Sequence, residues 1–123
     1  MGAYVSVRGW LELAHDQRAE VEHIIELAHD GLYSGGWAFP IKPFNWSLYV
    51  FYGGDVRESA VPWLEQQVLE IARLPATDAD GDRPAGLFAL TDERDPLRTL
   101  IWRVHDGQLS QEHQPALDFL SRE

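Results

Sequence analysis

Hydrophobic and polar positions alternate from Tyr4 to Leu13, YVSVRGWLEL, placing Val5, Val7, Leu11 and Leu13 on one face and Tyr4, Arg8, Trp10 and Glu12 on the other. A period of two is that of a pleated strand with one buried face. After His15-Asp16 the period becomes helical. Val21, Ile24, Ile25 and Ala28 form an apolar stripe that Asp16 is placed to cap and Gly31 to end. Leu32 to Phe44 is rich in Gly, Pro and aromatic residues, and its prolines confine it to a poor edge strand, expected through Trp37 to Ile41. The aromatic, β-branched run Asn45 to Tyr52 predicts a central strand ended by Gly53-Gly54. A second helix follows. Asp55 and Glu58 have capping-box spacing, Pro62 suits a first turn, and Val61, Leu64, Val68, Ile71 and Ala72 share a face, with a stop near Leu74-Pro75.

A polar loop, Thr77 to Pro84, leads to Gly86–Leu109, GLFALTDERDPLRTLIWRVHDGQL, the stretch around which the upstream elements look organised. Leu87 and Ala89 alternate with Phe88 and Leu90, then Leu100, Trp102 and Val104 with Ile101, Arg103 and His105. Asp92 to Pro96 supplies a charged turn, and Asp106-Gly107 favours a two-residue hairpin turn. In the tail, Ala116, Leu117, Phe119 and Leu120 are spaced to dock as a short helical turn. This order predicts an α+β two-layer sandwich: a mostly antiparallel sheet of four to six strands with two helices on one face, ferredoxin-like in order, with an extra C-terminal hairpin. At 123 residues, a single domain over 1–123 is expected. Its second sheet face, bearing Trp10, Arg8 and aromatic residues from neighbouring strands, then needs a cover or a partner.

Composition narrows the chemistry. Cysteine is absent, which removes disulfides, a thiolate nucleophile and cysteine zinc sites. Twenty acidic against ten basic side chains give a formal charge of −10, which repels nucleic-acid phosphates and anionic lipid and attracts basic proteins. No apolar run is long enough to span a bilayer, and the first residues lack a signal-peptide pattern, so a cytoplasmic protein without membrane or nucleic-acid partners is expected.

Three His-Asp dipeptides, at 15–16, 29–30 and 105–106, fall at element ends without the spacing that aims two imidazoles at one ion. Asp78, Asp80 and Asp82 begin like a calcium loop, but the glycine comes at the fourth place and the twelfth is Ala89. Asp92 and Glu93 would point to opposite faces of a strand, which disfavours a paired-carboxylate site. Ser34 lacks a nucleophile elbow, and no phosphate-binding glycine loop occurs. No catalytic residue, cofactor or metal is therefore expected.

Three patches carry a family resemblance: Gly9-Trp10, GLFALTDERDP at Gly86 to Pro96, and LIWRVHDGQL at Leu100 to Leu109, with HQPALDFLS at His113 to Ser121 as a weaker echo. In order and content the chain resembles the immunity protein 7 family of bacterial polymorphic toxin systems. It departs from that pattern in having Ala85 where an aromatic residue is usual, and YGGDVRES at Tyr52 to Ser59 where many members carry Asn-His-Arg. The resemblance implies a non-enzymatic antitoxin that binds a cognate toxin domain, expected to be basic, stoichiometrically as a monomer or weak homodimer. Candidate partner-binding residues are Trp10, Trp46 and Arg103 on the sheet face and Asp92, Glu93 and Asp95 in the turn; sheet packing and a solvated turn are their structural alternatives. Two other functions compete: a structural or regulatory module that self-associates through its sheet, and, behind it, a small hydrolase.

Overall fold

The computed structural model describes residues 3–41, 46–77, 79–95 and 98–121. Phe44, Asn45, Asp78 and Pro96, named in the expectations above, lie outside them. Six strands form one antiparallel sheet: β1 (Tyr4–Ala14), β2 (Trp37–Ala38), β3 (Ser47–Arg57), β4 (Ala85–Asp92), β5 (Thr99–His105) and β6 (Gln108–His113), in spatial order β2-β3-β1-β4-β5-β6. Two helices, α1 (Arg18–Leu27) and α2 (Val61–Ala72), cover one face. The first four strands keep the ferredoxin-like order, and β5-β6 extend the sheet beyond β4. Both the two-layer α+β class and the added C-terminal hairpin follow the sequence expectation.

The organising strand is β1, not the β4–β5 pair. It lies between β3, aligned with it over its whole length, and β4. Val7, Leu11, Val50, Val56, Phe88, Trp102 and Val104 point from the sheet into the core and meet Val21 of α1 and Leu64, Val68 and Ile71 of α2. Gly9 sits opposite Phe88, and Gly86 opposite Leu11. A Cβ on Gly9 would lie 2.2 Å from the Leu87 carbonyl oxygen and 2.5 Å from the Phe88 ring, while one on Gly86 would lie 2.0 Å from the Trp10 carbonyl oxygen. These glycines let two strands and a phenyl ring pack closely, so two of the patches that carry the resemblance have a packing role of their own.

Several local expectations are corrected. β3 runs through Gly53-Gly54 to Arg57, because β1 pairs with it to the end and satisfies its backbone groups. Asp55 is consequently a strand residue that accepts a hydrogen bond from the Ser6 hydroxyl, not a helix cap. Asp16 accepts from the Thr77 hydroxyl (2.6 Å) instead of capping α1, whose approach is fixed by Gln17: its Oε1 accepts from the Ala14 N–H and its Nε2 donates to the Pro75 carbonyl. Ala28 is exposed beyond the end of α1. The expected strand at Trp37 to Ile41 contracts to Trp37–Ala38.

A buried polar strut ties the helix layer to the edge strand. Trp37 donates its indole N–H to Gln67 Oε1 (2.9 Å), and Gln67 Nε2 reaches the carbonyls of Ile25 and Ala28. Trp63 adds a second donor to Ala28 (2.7 Å). The carbonyls left unpaired at the C-terminus of α1 are thus satisfied from α2.

Candidate functional site

Among the described residues, the face of the sheet opposite the helices is covered on one side only. A 3₁₀ segment, Pro115–Ser121, folds back onto β5 and β4. Thr99 anchors it: its N–H donates to Asp118 (2.7 Å) and its hydroxyl to the Leu117 carbonyl (2.9 Å). Ile101, pointing away from the helices, is thereby left only 2% exposed. Leu117 and Leu120 of the expected tail docking are partly buried, whereas Ala116 and Phe119 face outward.

Beyond this cover, over β1 and β3, the face is open and aromatic. Trp10 lies directly across from Phe51, and Glu12 across from Tyr49. Trp10 is 41% and Phe51 45% exposed, and the Tyr49 and Phe51 rings stack at 6.3 Å with planes 24° apart. The Tyr49 hydroxyl donates to Glu12 at 3.0 Å, and that carboxylate pushes the phenol pKa above its ordinary value. Strand alternation puts these rings on the surface because the intervening Leu48, Val50 and Tyr52 take the core side.

Arg103 shares this face and forms an ion pair with Glu112 of β6 at 2.6 Å. Trp10 and Arg103 are therefore brought onto one surface, as the sequence suggests. Trp46 is not with them. It precedes β3, is 86% exposed, and lines a separate hollow at the end of the sheet with Gln17, Asp82 and Arg83.

The acidic turn is at the other end, about 30 Å away along β1 at the usual strand rise. There Asp92 lies on the helix side, opposite Val5, and pairs with Arg94, which also reaches Glu58. Those carboxylates hold the Arg94 guanidinium pKa above its ordinary value, through the Asp92 hydrogen bond first. Glu93 accepts the Tyr4 N–H (3.0 Å), and the Asp95 N–H closes the turn onto the Asp92 carbonyl. Its acids serve the turn itself and are partly neutralised.

Tyr49, Phe51 and Arg8 were not among the expected site residues, although Arg8 and aromatic residues of the neighbouring strands were expected on this face. The signal for the two rings was their odd-numbered spacing in SLYVFY, once Leu48 and Val50 are taken as core. Among the described residues no group of three His, Asp or Glu could hold a metal ion, and no helix is long and apolar enough to cross a membrane. Comparison of the chain with family models, curated proteins and solved structures returned no match.

Proposed function

We propose that this chain is a cytoplasmic immunity protein that neutralises a cognate bacterial toxin domain by binding it stoichiometrically, without catalysis or cofactor. The observation that carries this reading is the open half of the sheet. Trp10, Tyr49 and Phe51 remain exposed on a face whose other half the chain covers with its own C-terminal segment. Rigid aromatic side chains on a preformed sheet are what a protein interface uses as anchors, because they bury much area at little conformational cost. The charge of −10 favours encounter with a basic partner, and the resemblance of the Gly9-Trp10, Gly86–Pro96 and Leu100–Leu109 patches supplies the kind of partner.

Co-expression with a toxin domain encoded beside this gene tests the reading. The wild-type chain should restore growth and co-elute with the toxin in a 1:1 complex. The double variant Trp10→Ala/Phe51→Ala, soluble and folded by circular dichroism, should lose both. Equal killing with and without the wild-type chain, and no complex, would refute an antitoxin role. Retained binding by the double variant would place the interface elsewhere.

A further inference from the structure

The open face contains a shallow, open hollow. Arg8 lies between Gly53 on β3 and Ala89 on β4, and these small residues floor a hollow of about 550 Å³ walled by Trp10, Phe51 and Leu120. Two observations set this hollow apart from the rest of the face. First, Gly53 has no reason in the isolated fold to be glycine: it sits inside a strand without a positive φ, and a Cβ there would meet nothing within 4 Å. Glycine weakens a strand interior and marks a place where something approaches closely. Second, the Arg8 guanidinium makes no hydrogen bond or ion pair with any other described residue. By contrast Glu12, Asp55, Arg103 and Glu112 on the same face are each held by a neighbour.

We infer that this groove receives an apolar side chain of the partner protein, with an adjacent partner carboxylate on Arg8. The inference rests on the antitoxin reading for the partner's identity, but the recognition chemistry comes from the groove alone. Backbone at Gly53 and the Ala89 methyl leave room for a leucine- or phenylalanine-sized group to lie between the two rings and Leu120. The guanidinium, unpaired among the described residues, offers forked donors that suit a carboxylate. An otherwise basic toxin would thus carry an acidic residue at the point of contact, which fixes register where overall charge does not.

N-acetyl-L-phenylalanine, with its amide as the uncharged control, is the probe. Titrated into ¹⁵N-labelled protein, the acid should shift the amides of Arg8, Gly53 and Ala89, and the amide should bind about threefold more weakly, the usual reach of an exposed ion pair. Arg8→Gln should abolish the difference between acid and amide. Gly53→Thr should fold with an unchanged or higher denaturation midpoint yet lose the shifts, because the added side chain fills the hollow.

Equal affinity for acid and amide in the wild type, no shifts, or undiminished binding by Gly53→Thr would each overturn the assignment. None of these outcomes bears on toxin protection by the wild type, so the antitoxin reading would survive them. Concentration-dependent shifts of the same amides without probe would seat a second copy in the groove and likewise overturn it. If the wild type fails to protect cells while the probe results hold, the antitoxin reading falls and the groove stands as a docking site for a different protein.

Discussion

Single side chains in this fold matter most where they close a polar account in a dry place. Gln67 is 1% exposed and serves the Trp37 indole on one side and the end of α1 on the other. Gln67→Leu should cost about 1–3 kcal/mol, because the Trp37 indole N–H stays buried without a partner and the Ile25 carbonyl loses one, while Ala28 keeps Trp63. Urea denaturation measures it, and a loss under 0.5 kcal/mol would mean that water replaces the amide. Tyr52 makes a complementary case with a sign that can be worked out. Its ring is buried, its hydroxyl donates to the Tyr33 carbonyl at 2.8 Å, and burial, with the Asp30 charge second, pushes its pKa up to about 12. The neutral phenol is the form the fold prefers. Below pH 10 both folded and unfolded chains hold the proton and this group adds no pH dependence. Between pH 10 and 12 the unfolded chain loses it first, so stability falls as pH rises through that window. Tyr52→Phe should start less stable, by about 1 kcal/mol for the lost hydrogen bond, and decline less steeply from pH 10 to 12 in the same denaturation experiment.

At the scale of elements, the β5–β6 hairpin extends the sheet with its turn beside the end of α2, and the C-terminal cover lies on the opposite face. Asp106 and Gly107 both have positive φ, 52° and 76°, as a two-residue hairpin turn with the sheet's twist requires. The dipeptide was therefore readable from the sequence alone. So was each strand whose alternation is uninterrupted, because burial of one face specifies register. What misled was punctuation. Gly53-Gly54 reads as a strand end, yet pairing with β1 carries the chain straight through, and Asp16 and Asp55 found hydroxyl donors from distant segments that no local spacing announces. The site was half legible for the same reason: Trp10 and Arg103 follow from alternation, but their distance from Trp46 and from the acidic turn depends on where strands end. The tail was legible as apolar and not as to where it docks. Removing its anchor tests that docking. Asp118→Ala takes away the acceptor of the Thr99 N–H and a contact of His113. It should destabilise by about 1–2 kcal/mol and raise hydrogen exchange in β5 while leaving α1 and α2 protected. Uniform loss of protection would show that the segment is part of one cooperative unit.

For the whole molecule, the two layers carry different chemistry, and this decides which face meets a partner. Asp16, Glu20, Glu22, Glu26, Glu58 and Glu70 are exposed on or beside the helices, where Arg18, Arg73 and, paired with Glu58, Arg94 are the cations, whereas the open sheet face balances Arg8, Arg57 and Arg103 against Glu12, Asp55 and Glu112. A uniformly basic partner would therefore settle on the helices and ignore the aromatic strip. Docking on the sheet requires charge to govern encounter and the apolar contact to govern residence. These roles separate kinetically. Neutralising Glu20, Glu22, Glu26 and Glu70 to glutamine should slow association with the toxin domain by up to about tenfold at low salt, with little change in dissociation. Raising ionic strength should slow the wild type likewise, because charges more than about 10 Å apart are screened at 0.1 M. Trp10→Ala should do the opposite, speeding dissociation and sparing association. Stopped-flow fluorescence resolves both rates. If the four-glutamine variant instead dissociates faster while Trp10→Ala does not, the helix layer is the docking face, and the aromatic strip and its groove must serve something other than the toxin.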